Sequence, residues 1–541
     1  MRRQFWMISV LVLSLLCVGT YFWPPVGFAL PPALMLFALG VADMTQTRHA
    51  VRRNFPVIGH GRYLLEQIRP EINQYFIESN TDGTPFNREV RSLIYQRAKG
   101  ELDTLPFGTQ HDLYQPGAEW LQHSLVPKPV MDEPRVRIGG STCSKPYSAS
   151  LLNISAMSYG SLSRNAVQAM SAGAKLGHFA HNTGEGGISP YHLAGGADLI
   201  WQVGTAYFGC RTKDGSFDPV SFAERASLEC VKMIELKLSQ GAKPGHGGIL
   251  PAKKLTLEIA QIRDVPMGHD VVSPPAHSTF STPVGLLEFV ARLRELAGGK
   301  PVGIKLCVGK RREFLSICKA MLKTGLHPDF IAVDGAEGGT GAAPYEFSNR
   351  LGMPLIEGLI FVHNALNGVG FRDKITVFAA GKVSSGFDMA KLIAIGADAC
   401  YSARAMMMAV GCIQARRCNN NTCPVGVATQ DPELVHGLVV EDKSPRVARF
   451  HEETVRSFLE LVAAGGFSHP SELRPWHIHR RITPSEVKHY AELHEYLNPR
   501  ALLENPIPTG FARAWRHAAA ESFSSVASML PPPHIRPTSQ G

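Results

Sequence analysis

Residues 4–42 hold no charged side chain, so the chain opens with an apolar block. Its first part, FWMISVLVLSLLCVGTYFW, covers residues 5–23. As a helix that run is roughly 28 Å long, close to the hydrocarbon thickness of a bilayer. WPPVG breaks it, and a second run, VGFALPPALMLFALGVADM, continues to Met44. Pro31 and Pro32 weaken that run as a helix, but membrane helices tolerate proline. The pattern predicts a transmembrane hairpin over residues 1–45. Arg2 and Arg3 precede it, and Arg48, Arg52 and Arg53 follow it. Basic flanks stay on the cytoplasmic side. The expectation is a multi-pass protein of the inner (cytoplasmic) membrane whose catalytic part faces the cytoplasm. A cleaved signal peptide is the alternative; the second apolar run and the lack of a small-residue cleavage site argue against it.

The pattern then changes. Residues 46–130 are mixed and polar, with helical patches such as GRYLLEQIRPEINQYF. From about residue 148 to 430, short β-like runs alternate with amphipathic ones. The β-like runs are LLNISAMSYG, GHFAHNTGEGG, VKMIELKLSQGAKPG, HDVVSPPAH, PVGIKLCVG, DFIAVDGAEGG, KITVFAAGKVSSG and ACYSARA. Helical runs between them include LLEFVARLRELAGG, REFLSICKAMLKTG and FDMAKLIAIGA. Eight such units predict an α/β fold, a (β/α)8 TIM barrel within residues 131–465. A doubly wound open sheet is the alternative. Residues 466–541 read as a helical extension ending in the loose, proline-rich MLPPPHIRPTSQG.

Barrel enzymes place their chemistry at the carboxyl ends of the strands. There the first run offers Ala156, Met157 and Ser158, and the second offers Glu185. The third offers Gln240 and Lys243, the fourth Ser273, the fifth Lys305 and the sixth Asp334. The seventh ends at Gly381 and the eighth at Ser402, Ala403 and Arg404. Loops after the last two strands commonly hold phosphate, and small residues let backbone N–H groups approach it. A tight turn plus a surface arginine is the plainer account. Lys305 sits in GIKLCV, where a buried lysine needs an anionic partner. The N1/O2 edge of a flavin would supply one, and so would a structural ion pair. GEGGISP and GAEGGTGAAP allow close backbone approach to a flat ligand or simply make turns. No GxGxxG follows a strand, so a nicotinamide site of that kind is not visible.

Composition adds limits. The chain has 541 residues, a net charge of +9, 44% hydrophobic and 19% charged residues. The basic excess is spread out, so no nucleic-acid partner is expected, whereas an anionic membrane surface suits it. Ten cysteines in this length do not make a disulfide scaffold. Three of them cluster in GCIQARRCNNNTCPVGVATQ, as Cys412, Cys418 and Cys423 with the spacing C-x5-C-x4-C. In a cytoplasmic protein, clustered thiols point to metal rather than to a bridge. Structural zinc wants four ligands. Three soft thiolates suit a three-iron cluster, a four-iron cluster with one open iron, or copper(I). Three unrelated cysteines in a loop are the plainer alternative.

CNNNTCPVGVATQ with Cys412 resembles the cluster loop of the glutamate synthase family. ISAMSYGSLS, NTGEGG, LSQGAKPGHGG, SPP, IKL, DGAEGGTGAAP and GCIQARRC resemble its synthase domain, in the same order, over roughly residues 130–435. The resemblance implies an FMN-binding barrel with a 3Fe–4S cluster on the loop 411–430. It implies that Cys412, Cys418 and Cys423 hold the cluster. Ala156, Met157, Ser158, Lys305, Gly381, Ser402, Ala403 and Arg404 would hold FMN. Lys243 and Arg263 would bind the keto acid, and Glu185 would orient ammonia or move protons. The family joins ammonia to 2-oxoglutarate and reduces the imine to L-glutamate, drawing electrons from a ferredoxin or a reductase subunit.

Departures from the family pattern are local. GAKPGEGGQLPG reads GAKPGHGGILPA here, so His246 stands for a glutamate and Ile249 for a glutamine; AHST follows SPP where the family has a PHHD-like run. The chain leaves no room for the family's glutaminase domain or its large C-terminal β-helix, so ammonia is expected to arrive free or from another protein. Two alternatives keep the cofactors: an oxidoreductase acting on a different amine or keto acid, and a membrane-anchored, non-catalytic electron-transfer subunit.

Overall fold

The computed structural model describes residues 1–524, and the proline-rich MLPPPHIRPTSQG lies outside them. The chain divides into two compact units, Met1–Arg88 and Glu89–Gly541. In the first, helix α1 (Arg2–Phe22) turns at the extended Trp23 into a 3-10 helix, Pro24–Ala29, that runs on into α2 (Leu30–Thr45). Arg2–Phe22 and Pro24–Thr45 are each long and apolar enough to cross a membrane. Phe5 stacks on Phe37 at 6.1 Å, and a Cβ at Gly40 would overlap the Phe5 ring. Only glycine lets the two helices close there. Helix α3 (Gly59–Ile72) follows and runs into a wide turn over Asn73–Ile77.

The second unit is built on a closed eight-stranded barrel. Its strands are β1 (Leu152–Ile154), β2 (His181–Asn182), β3 (Leu199–Val203), β4 (Val231–Lys237), β5 (Val302–Leu306), β6 (Phe330–Asp334), β7 (Thr376–Ala380) and β8 (Ala399–Ser402). Every neighbouring pair is parallel, and β8 closes on β1. The barrel expectation holds, with one correction of membership. HDVVSPPAH is not a barrel strand: Val271–Val272 pairs antiparallel with Ile249–Leu250 outside the barrel. The missing strand is LIWQV, buried at every position. A strand buried on both faces has no alternation to announce it, whereas HDVV mimics one by β-branching.

The barrel interior is packed in layers set by register. Phe378 stacks on Tyr401 at 4.4 Å and meets Phe330 edge-on at 5.6 Å. A Cβ at Gly303 would overlap the Phe330 ring, so β5 gives up a side chain to admit it. The hairpin of Val136–Ile138 with Tyr147–Ala149 adds Ile138, Tyr147 and Ala149 to this core and closes its amino end. Outside, helix Arg164–Leu176 starts at Ser163, whose hydroxyl accepts from Ala166 N at 3.2 Å. It packs on the long helix Val440–Ala464, where a Cβ at Gly173 would press Ser444 O and Val447 at 2.6 Å.

The stretch after residue 465 departs from the helical expectation. Ile478–Thr483 and Glu486–His489 form an antiparallel pair, extended by Glu119–Leu121 into a three-stranded sheet. Pro484 and Ser485 make the two-residue turn between them, and such turns favour a hairpin. Helix Thr509–His517 comes after it.

Candidate active site at the carboxyl end of the barrel

Side-chain polarity rises along the barrel axis. Ile200, Met233, Phe330 and Phe378 belong to the apolar core. Two residues further along β3 and β4, Gln202 and Glu235 are paired in register. Glu235 Oε1 accepts from Gln202 Nε2 at 2.6 Å and from Asn182 Nδ2 at 2.8 Å. Burial pushes this carboxyl above its ordinary pKa, and the nearby Lys305 charge only partly offsets it. One step further, Lys237 of β4 and Lys305 of β5 lie side by side in register, both buried. Each has its own carboxylate. Lys305 Nζ is 3.7 Å from Asp334 Oδ2, and Lys237 Nζ is 2.8 Å from Glu185 Oε1.

Glu185 is the centre of a cationic group. Burial alone would raise its pKa. The Lys237 ammonium, then Arg263 and Lys243, bring it below its ordinary value instead. Burial lowers Lys243 to about 8, against the pull of Glu185. Burial likewise lowers Arg263 to about 10. Arg263 reaches the site from the last turn of helix Leu257–Arg263. It donates to Tyr159 O at 3.1 Å and lies against the Phe208 ring at 5.1 Å. Lys243 donates to Ala342 O at 3.3 Å, in the glycine-dense loop after β6. The three residues expected to handle substrate therefore converge.

The glycines around them are spatial necessities. A Cβ at Gly186 would stand 2.9 Å from both Arg263 Nη2 and Ser158 Cβ. One at Gly184, where φ is +65°, would press the Ser158 backbone nitrogen at 2.6 Å. Gly186 N donates to Ser158 Oγ at 3.2 Å, which fixes the loop after β1 against the loop after β2.

The residues expected to hold the cofactor line the same rim. Ser155 N donates to Ser402 O at 2.9 Å, which sets Ala156, Met157 and Ser158 beside Ser402 and Ala403. Ser402 Oγ donates to Val383 O at 2.7 Å, tying the loop after β7 to β8. Gly381 packs on Leu355. Arg404 Nη2 donates to Glu337 O at 2.7 Å. Burial lowers Arg404, with Asp334 and Glu337 opposing. Loss of water and then the Arg404 charge lower Lys382 as well. Lys305, Lys382 and Arg404 thus crowd one edge, an electrostatic arrangement that suits an anionic phosphate and an electron-rich ring.

The three clustered cysteines lie in the loop that follows helix Arg404–Ala409. Burial and the two neighbouring thiols push Cys412 up to about 12. Cys418 is raised by burial and then by Cys423. Tyr95 donates to Cys412 O at 2.8 Å, and Gly341 packs against Cys418. Among the described residues, no three His, Cys, Asp or Glu side chains stand close enough to grip a single metal ion. The loop is nevertheless tied to the barrel rim. Gln430 Nε2 donates to Gly160 O and Leu162 O, and buried Lys254 donates to Ser161 O at 3.1 Å and Ala428 O at 2.9 Å.

Lys237, Lys254, Lys382 and Glu235 were not singled out in the sequence. The signal for the first and last was present: VKMIELK alternates, which puts Met233, Glu235 and Lys237 on one face. Which face looks inward is decided by the neighbouring strands.

A family model described as "Conserved region in glutamate synthase" matches residues 129–468. The chain belongs to the glutamate synthase family of oxidoreductases. Among curated members, the glutamate synthase large subunit-like protein YerD of Bacillus subtilis is 37% identical over 495 residues, covering 84% of this chain and 94% of that one. The archaeal glutamate synthase (NADPH) of Methanocaldococcus jannaschii is 35% identical over 323 residues, 59% of this chain and 60% of its own length. Among solved structures, mandelate oxidase aligns with a TM-score of 0.41 and 14% identity, over 79% of this chain and 98% of that one.

Proposed function

We propose that this member of the glutamate synthase family aminates 2-oxoglutarate with ammonia and reduces the product to L-glutamate. FMN would lie at the barrel rim and a 3Fe–4S cluster on the 411–430 loop. The observation that carries the proposal is the buried group of Lys243 and Arg263 around Glu185. Two fixed cations in a water-poor site suit a dicarboxylate. Ammonia attacks the keto carbon, and water leaves to give the imine. Glu185, held ionised by Lys237, accepts a proton from the attacking ammonia and returns it to the departing oxygen. Bound in reduced form, FMN supplies the hydride that completes the amino acid. Ala156, Met157, Ser158, Lys305, Gly381, Ser402, Ala403 and Arg404 would hold it; Lys305, Lys382 and Arg404 outnumber Asp334 and Glu337 at this edge, and an FMN phosphate would balance the excess.

Cys412, Cys418 and Cys423 would each bind a different iron. The three thiols lie near enough to perturb one another electrostatically, as ligands of a shared cluster would. Lys254 puts positive charge beside an anionic cluster and is feebly hydrated on its own. A cluster held there would supply single-electron transfer, with a ferredoxin or a reductase subunit as the donor. Helices α1 and α2 would cross the inner membrane as a hairpin, with both arginine-flanked ends and the barrel in the cytoplasm.

His246 and Ile249 favour a second reading, a different keto acid. Ile249 offers no hydrogen bond where the family pattern has glutamine. His246 Nδ1 lies 3.0 Å from Gly247 O, and the ring meets Phe347 edge-on at 5.1 Å. An anaerobic assay separates the two. The purified protein is photoreduced, and 2-oxoglutarate with ammonium is added. Flavin reoxidation with stoichiometric glutamate supports the first reading. A flavin reoxidised only by other keto acids supports the second.

A further inference from the structure

The first unit carries an apolar face that the hairpin does not use. In α3, Leu64, Leu65, Ile68 and Ile72 follow i, i+1, i+4 and i+8, which gathers them within an arc of about 100°. Leu64 is 58% exposed and Leu65 is 61% exposed. Phe76, in the wide turn that continues the helix, is 85% exposed. Contiguous apolar surface of this kind marks a contact with something apolar.

Charge and position say what that contact is. Arg62 and Arg69 border the apolar arc on one side. Between residues 46 and 77 there are five arginines against two glutamates. The helix begins 14 residues after Thr45, the last residue of α2. It is also pinned to the end of that helix. Buried Asp43 accepts from Val57 N at 2.9 Å and lies 2.8 Å from His60 Nε2. A helix held at the mouth of a membrane hairpin, apolar on one arc and arginine-lined at its border, is placed at the depth where acyl chains meet headgroups.

We infer that α3 lies in the plane of the cytoplasmic leaflet, with Leu64, Leu65, Ile68, Ile72 and Phe76 in the acyl region and its arginines on anionic headgroups. The inference rests on the proposed membrane hairpin and adds a second contact with the bilayer. That contact holds the first unit flat and fixes the depth at which the chain leaves the membrane.

Photo-crosslinking in the full-length protein tests it. A benzophenone side chain is placed at Leu65 or, in a separate protein, at Leu11 of α1. Each is reconstituted into phosphatidylcholine vesicles containing phosphatidylglycerol. Lipid adducts are expected at both positions, and at Leu65 the yield should fall several-fold in vesicles of phosphatidylcholine alone. Lipid adducts at Leu11 with none at Leu65 overturn the inference and leave the hairpin standing. Cross-linking of Leu65 to a second copy of the chain also overturns it, because the face is then a protein interface. No adduct at either position, with protein released by alkaline carbonate, overturns the hairpin itself.

Discussion

Lys237 Nζ and Glu185 Oε1 stand 2.8 Å apart at the carboxyl end of the barrel, and both residues are largely buried. The pair joins β4 to the loop after β2, and it is what keeps a buried carboxylate ionised next to two more cations.

Replacing that lysine separates charge from position. Lys237→Gln removes the first opposing charge, so burial regains control and the Glu185 pKa rises. A depressed carboxyl contributes stability above its unfolded pKa and loses it as pH falls through the folded one. The acid limb of turnover should therefore move upward by a pH unit or more, at about 1.4 kcal/mol per unit. Thermal unfolding at neutral pH should show a loss of about 3–5 kcal/mol, the usual cost of breaking a buried pair. An unmoved acid limb would show that Glu185 does not set it.

Lys243, near 8, should gain its proton when a dicarboxylate arrives. Titrating 2-oxoglutarate at a pH just above 8 should take up protons, seen by calorimetry in buffers of different ionisation enthalpy. Lys243→Arg should abolish the uptake, because its guanidinium is already charged. Lys243→Ala should raise KM at least tenfold. In the free protein the sign is opposite to that of a paired lysine. The unfolded chain binds more protons between pH 8 and 10.5, so this group's contribution to stability improves as pH rises through that window.

Glu235 gives a stability test independent of turnover. Its raised pKa means that the folded state favours the neutral acid, so its ionisation above pH 4.5 costs stability. Glu235→Gln keeps an acceptor for Asn182 and Gln202 and cannot ionise. Its stability relative to the parent should increase as pH rises from 4.5. Glu235→Leu strands two amide donors and should lose about 2–4 kcal/mol near pH 4.5, a loss that shrinks as pH rises because leucine cannot ionise either. Denaturant midpoints across pH read both.

Cys418→Ser should remove iron and acid-labile sulfide while leaving the far-ultraviolet circular dichroism intact, since Cys418 lies in a loop outside the barrel. Flavin content should be unchanged. Full retention of iron would exclude this thiol as a ligand.

The sequence by itself determined more of the architecture than of the site. An uncharged block broken by Pro24 and Pro25 reads as two apolar helices, and the structure has them as Arg2–Phe22 and Leu30–Thr45. Seven of the barrel strands announced themselves as apolar runs followed by glycine-rich turns. The eighth, LIWQV, did not: burial on both faces erases alternation, and HDVV imitated it. Glu185, Lys243 and the thiols could be singled out because they lie in long ordered patterns that resemble the family's motifs, and the fold brings Glu185, Lys243 and Arg263 together. Lys237 and Glu235 were only letters in VKMIELK. Tertiary structure gave them meaning, because strand register alone decides that Lys237 falls beside Lys305 while the loop after β2 brings Glu185 to it. The exposed arc of α3 belongs to the same class: periodicity can draw an apolar stripe, but only the folded chain shows that the described residues of the first unit leave it exposed.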